Sequence, residues 1–201
     1  MQSDDFSKIQ GRFKVRMPLT SSSVDEVIEK RLLEKDDEAI PELTKLYRSE
    51  EENMKTLISF TNSGIQFKGY RDESDFVNKY PFLPYQFDLF QQCLKSLSRH
   101  NVFQGQHQSV GERSMLGVFQ HILREIDLSD TRTLVSFDRM FEGIAGTLRT
   151  EAQNAILLAN NHMGDTYPMA IKVLKVLCLI KYFDSFKGTA RNISVLLIDR
   201  L

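Results

Sequence analysis

The chain has 201 residues, is 41 % apolar and 26 % charged, and carries a formal net charge of −1. This size and composition fit one large or two small globular domains and exclude global disorder. No apolar run is longer than Val176 to Ile180, too short to cross a bilayer, and two cysteines with no C-x-x-C pair exclude a disulfide scaffold or a zinc-thiolate cluster. The start, Met-Gln-Ser-Asp-Asp, is acidic and lacks the apolar stretch of a signal peptide, so a reduced, cytoplasmic protein with no membrane contact is expected. The near-neutral total hides an asymmetry. Residues 25–52 hold eleven acids against five bases, a net of −6, whereas residues 168–201 hold six bases against two acids, a net of +4.

In chain order, residues 9–19 alternate weakly through Phe13, Val15 and Met17, the pattern of one short strand. Ser23 and Glu26 have the S-x-x-E spacing of a capping box, and Val24, Val27, Ile28 and Leu32 continue at helical spacing to about Lys35. Pro41 suits a first helical turn, and Leu43, Tyr47, Met54, Leu57 and Ile58 extend a stripe to about Phe60, with Ser49 and Glu52 allowing a break into two helices. Residues 61–74 hold Gly64 and Gly69 and read as a loop or small hairpin. Lys79-Tyr-Pro-Phe-Leu-Pro-Tyr85 is a stiff entry to a helix with the stripe Leu83, Phe87, Phe90, Leu94 and Leu97.

Residues 100–107 read as a Gly/Gln-rich loop. Ser109 and Glu112 form a third capping box, opening a helix with Met115, Phe119, Ile122 and Ile126. Asp127–Arg132 is a polar loop. Phe137 to Ile156 reads as one long helix, interruptible near Gly143 or Gly146, where glycine costs about 1 kcal/mol relative to alanine. Pro168 starts a helix that is apolar on most sides through Phe183, which predicts a central, buried position and an inert core thiol at Cys178. Thr189 then caps a last amphipathic helix with Ile193, Leu196, Leu197 and Leu201. Its apolar stripe runs to the final residue, which predicts a piece of a longer protein.

The candidate chemistry is sparse. The P-loop pattern G-x-x-x-x-G-K-[ST] is absent, because Gly105 and Gly111 are one residue too far apart and no Lys-Ser/Thr follows. Val195-Leu-Leu-Ile-Asp199 resembles a Mg²⁺-binding run superficially, but the Thr189 cap makes an amphipathic helix the better reading. His100, His107, His121 and His162 form no H-x-x-x-H pair, and no G-x-S-x-G elbow occurs, so neither a metal site nor self-contained catalysis is predicted. Arg12, in Gln-Gly-Arg-Phe, and Arg113, near the start of a capped helix, are candidates for reaching a nucleotide phosphate through their planar guanidinium forks. Helix, short turn and Thr189-capped helix also fit a helix-turn-helix, in which Lys187 and Arg191 would face duplex DNA phosphates.

Taken in order, Gly11-Arg12-Phe13, the helix from Leu19 to Lys35 and Ser109-Val-Gly-Glu-Arg113 resemble the last core strand, first lid helix and sensor-2 helix of an AAA+-type ATPase. Four longer phrases are similar to one family in particular: residues 22–35, Lys79-Tyr-Pro-Phe-Leu-Pro-Tyr-Gln-Phe87, Gly111-Glu-Arg-Ser-Met-Leu-Gly-Val-Phe-Gln120 and Val173-Leu-Lys-Val-Leu-Cys-Leu-Ile-Lys-Tyr182. They resemble the large P-loop ATPases of BREX phage-defence systems, the BrxC/PglY family. The resemblance implies an internal fragment with a mainly α fold and at most a few short strands. Residues 1–20 would end a P-loop core, residues 21–163 would form a helical lid-like domain with an insertion around 61–108, and residues 164–201 would form a truncated helix-turn-helix or winged-helix-like segment. It further implies a parent that hydrolyses ATP with Mg²⁺ beside other BREX proteins, including a DNA methyltransferase. The fragment itself would hold no cofactor and couple nucleotide state to assembly or DNA contact. Two rival readings are a helical interaction scaffold without nucleotide contact and a helix-turn-helix DNA-binding regulator.

Overall fold

The computed structural model describes residues 21–61, 67–104 and 112–201. The strand expected over residues 9–19 lies outside them, as does Arg12. The fold is mainly helical, and the β-pairing among the described residues consists of two isolated antiparallel bridges, Phe103 with Leu148 and Thr133 with Arg200. The helices are α1 (Ser21–Leu32), α2 (Ala39–Leu57), α3 (Glu73–Lys79), α4 (Pro84–Arg99), α5 (Glu112–Glu125), α6 (Arg139–Ala145), α7 (Thr150–Met163), α8 (Pro168–Ile180) and α9 (Ala190–Leu196).

Several boundaries differ from the sequence expectations for identifiable reasons. Helix α1 begins two residues before Ser23, so Ser23 lies inside the helix rather than capping it. Helix α2 is unbroken, because the Ser49 hydroxyl donates back to the Leu46 carbonyl at 2.9 Å instead of capping a new helix. Helix α3 was not anticipated. Asp72 caps it by accepting from the Asp75 backbone N–H at 2.8 Å, and its apolar content is confined to Phe76 and Val77, too little to make a stripe. The segment from Phe137 to Ile156 is two helices that part at Gly146, where the Arg149 N–H turns aside to the Val102 carbonyl. Gly143 serves packing rather than interruption: a Cβ there would lie 2.6 Å from Val118 Cγ1, so its absence lets α6 press against α5.

Helix α4 is the centre of the molecule. Pro84 occupies its first turn, and the whole predicted stripe of Leu83, Phe87, Phe90, Leu94 and Leu97 is buried. Phe119 of α5 stacks against it, with ring centroids 4.5 Å from Phe82 and 4.8 Å from Phe87. Each such side chain removed from water contributes on the order of 1.5–3 kcal/mol. A second aromatic group, Phe60, Phe67, Tyr85 and Phe186, ties the segment after α2 to α4 and to the turn before α9, with Phe60 and Tyr85 centroids 4.9 Å apart. One apolar cluster thus runs from Val24 through Leu196, across residues 163 and 164 as well as through the stretch 67–104.

Buried polar side chains hold this core in register. Gln86 is fully buried. Its Oε1 accepts from the Leu83 N–H at 3.1 Å, and its Nε2 donates to the Val135 carbonyl at 2.6 Å. The Val135 N–H in turn donates to the Pro81 carbonyl, so the segment after α5 is fastened to the start of α4 from both sides. The expected helix through Leu201 is corrected here. Helix α9 stops at Leu196, and residues 197–201 run beside residues 132–137, with Leu134 N–H on Asp199 O, Phe137 N–H on Leu196 O and Leu201 N–H on Arg132 O. Those backbone bonds compete successfully with another helical turn.

An ionic group joins α1 to α3. Lys79 reaches Glu29 at 2.8 Å and Asp75 at 2.5 Å, and Arg71 reaches the same Asp75 carboxylate at 2.9 Å. Burial opposes the charge on Asp75, but the hydrogen bonds from Arg71 and Lys79 prevail and hold its carboxyl below the usual range. Asp25, one helical turn before Glu29, behaves oppositely. Desolvation, then the nearby Asp88 and Glu29 charges, pushes it up to about 6, against a smaller opposing effect of Lys79. Lys35 is pushed down to about 8 by desolvation while its Nζ donates to the Leu33 and Tyr80 carbonyls, each at 2.6 Å.

Candidate functional site

Of the four residues singled out from sequence, Lys187 and Arg191 are those whose side chains the structure describes. Arg12 lies outside the described residues. Arg113 is in the first turn of α5, with its side chain outside the description. Lys187 and Arg191 flank the start of α9. Thr189 caps that helix as expected, its side-chain oxygen accepting from the Asn192 N–H. The helix is only 7 residues long, and Asn192, Ile193, Val195 and Leu196 are buried on it.

In the first turn of α9, Ala190 and Arg191 are exposed and Asn192 points inward. Asn192 is completely buried and its amide is saturated: Oδ1 accepts from the Thr61 N–H at 2.9 Å, and Nδ2 donates to the Thr61 and Lys187 carbonyls at 2.9 and 2.8 Å. Arg191 donates to the Thr56 carbonyl at the end of α2. Arg191 and Asn192 thus clamp the start of α9 to the end of α2 and the segment after it. Sequence reasoning missed this role, because an Asn one turn into a helix carries no signal of burial. Lys187 remains exposed.

Beside Lys187 lies a cleft of about 940 Å³. Its walls are α7 and α8, which run antiparallel, and the end of α4 closes it together with the turn after α8. The floor is apolar, formed by residues including Leu97, Ile156, Leu174 and Phe183. Ala152 and Ala155 keep the α7 wall low. At the closed end, the His100 ring stacks on Tyr182 with centroids 4.3 Å apart and planes 12° apart, and Lys181 Nζ sits 5.1 Å from the Tyr182 centroid. Arg149, Lys181 and Lys187 border this end alongside Glu151 and Asp184. Cys178 also lines the cleft, so it is a half-buried thiol rather than the core thiol expected; desolvation still raises its pKa, against a smaller effect of Lys181. That keeps it protonated and unreactive.

The two helices of this cleft are incompletely covered. Helix α7 buries no residue, and Leu157 and Leu158 are 55 % and 56 % exposed. Tyr167, Met169 and Leu177 are also exposed, so α8 is apolar nearly all round as predicted but is buried on one side only. Among the described residues no group of three or more His, Cys, Asp or Glu could hold a metal ion, and no helix is long and apolar enough to cross a membrane. No family model matches the chain, and no solved structure matches it.

Proposed function

We propose that this chain is a helical coupling module of a cytoplasmic BREX-type P-loop ATPase of the BrxC/PglY family, and that its role is to transmit nucleotide state to assembly rather than to perform chemistry. The observation that supports this reading is where three of the resembling phrases meet. Phe119, from Gly111–Gln120, packs against both Phe82 and Phe87, from Lys79-Tyr-Pro-Phe-Leu-Pro-Tyr-Gln-Phe87. Val176 and Leu179, from Val173–Tyr182, are buried in the same cluster. Phrases scattered along 100 residues of sequence thus serve one core, which is what a family signature kept for folding requires.

Within this reading ATP and Mg²⁺ belong to the parent's P-loop, and Arg12 and Arg113 are the residues of this chain that would reach phosphate from outside it. The working partners are other BREX proteins, including a DNA methyltransferase. The interaction-scaffold alternative is favoured over the DNA-regulator alternative by the burial of α9. Asn192 is sealed against Thr61 and Arg191 is bonded to Thr56, so this short helix leaves only Ala190, Arg191 and Ser194 exposed, with Lys187 before its start.

The test uses the full-length gene product. It should hydrolyse ATP, and Arg113→Ala should reduce turnover by about 10²-fold or more with unchanged expression, the scale on which a group stabilising transferred phosphate acts. The 201-residue chain alone should release no phosphate above a protein-free blank. Full turnover in Arg113→Ala removes that residue from the nucleotide site, and absence of ATP hydrolysis by the full-length protein overturns the family reading.

A further inference from the structure

The cleft between α7 and α8 is left open by the described residues. Helical spacing places Glu151 and Ala155, which line the cleft, on one face of α7 with the exposed Leu158 one turn further along. Opposite it, Leu174 and Leu177 form the matching face of α8, with Lys181 at its C-cap and Leu177 40 % exposed. From Glu151 to Leu158 this face is about 10 Å long at 1.5 Å per residue, roughly two helical turns. A trough of this length between two antiparallel helices, apolar along its floor and blocked at one end by stacked rings, has the shape of a helix-receiving groove.

Charge at the closed end specifies the occupant. Lys172, Lys175 and Arg200 of the basic C-terminal region are engaged by Asp199, Glu142 and Asp130. Arg149, Lys181 and Lys187 have no carboxylate partner among the described residues, although Glu151 and Asp184 lie on the same rim. The surplus is positive, and it sits where an apolar floor gives way to solvent. We infer that this cleft binds an amphipathic helix of a partner protein, with apolar anchors at three- and four-residue spacing seated on the floor and acidic side chains at one end meeting Arg149, Lys181 and Lys187. The apolar anchors supply affinity, and the rim cations set its direction in the groove and speed its arrival. This inference stands apart from the family reading and does not depend on it.

The experiment places the photo-crosslinking residue p-benzoylphenylalanine at Leu177 of the full-length protein in its native host, irradiates the cells and maps the crosslinked segment by mass spectrometry. The expected product is one segment of a different protein, with helical apolar spacing and at least two acidic residues flanking it. A synthetic peptide of that segment should bind the 201-residue chain in fluorescence anisotropy. Lys181→Glu combined with Arg149→Glu should weaken binding at least about tenfold, as should Lys187→Glu alone to a smaller degree, and added salt should weaken it further. All three side chains are exposed, so unchanged unfolding midpoints will separate lost binding from lost fold. Arg31→Glu, an exposed reversal on α1, should leave binding unchanged. Crosslinking to nucleic acid, to a second copy of this chain, to a segment without acidic residues, or at no more than the level of the same residue placed at Arg31 overturns the inference, and so does equal affinity in the charge reversals.

Discussion

The junction of α3, α4, α5 and α9 and the hairpin of α7 and α8 use similar residues to opposite ends. At the junction, apolar side chains are sealed and the two buried amides are paired: Gln86 and Asn192 are fully buried, and the oxygen and nitrogen of each amide have partners, while the buried Tyr80 hydroxyl has none among the described residues. In the hairpin, α7 buries nothing, and large apolar side chains face water. A buried amide costs free energy unless paired, so it fits only one arrangement of its neighbours and thereby defines it. An exposed leucine defines nothing by itself and stays free for a surface that arrives later. The first region fixes the fold, and the second holds binding capacity in reserve.

The sharpest way to break this comparison is to open the junction. Phe119→Ala leaves a void among Phe82, Phe87 and Phe90 and should lower unfolding free energy by about 3–5 kcal/mol in urea titrations. A loss below 1 kcal/mol would mean that the aromatic cluster is not the source of stability. Next in size, Asn192→Leu strands the Thr61 N–H and the Thr61 and Lys187 carbonyls, at a cost of about 2–3 kcal/mol. Its counterpart in the hairpin, Leu157→Lys, should move the urea midpoint by the equivalent of no more than about 0.5 kcal/mol. Equal effects at the two sites would erase the distinction drawn here.

A pH-dependent effect sharpens the picture at the edge of the junction. The folded pKa of Asp25, about 6, lies above its ordinary value of 3.8, so the folded state prefers the protonated form. The stability associated with that proton is fully present below about pH 4 and is lost as pH rises through about 6. Because the group is partly solvated, the loss is on the order of 1 kcal/mol. Asp25→Asn should therefore stabilise the protein at pH 7 and flatten the change in midpoint between pH 4 and pH 7. An unaltered pH profile would show that Asp25 is not held up by burial and by Asp88.

What could be read in the sequence follows the same division. The stripe from Leu83 to Leu97 announces α4 because five apolar residues repeat at one helical period, and all five are buried. Thr189 announces α9 because a hydroxyl at an N-cap bonds locally. Helix α3 is silent, since seven residues with two apolar side chains lack a period. The cleft is silent for a different reason. Leu97, Ala155, Leu177 and Lys187 become neighbours only after four elements have packed, and each alone reads as core or surface. Asn192 and Gln86 share that limit, because the carbonyls that make their burial tolerable come from Thr61 and Val135, far away in sequence.

The pairing of residues 197–201 with residues 132–137 also orders events in time. During synthesis, α4 and α5 emerge from the ribosome while the N–H groups of Leu134 and Phe137, which will lie in the finished interior, still lack the carbonyls of Asp199 and Leu196. Some sixty further residues must be translated before those partners exist. At roughly 5–20 residues per second, the half-built core waits several seconds with its central seam open, the interval in which a nascent chain most needs shielding from its neighbours.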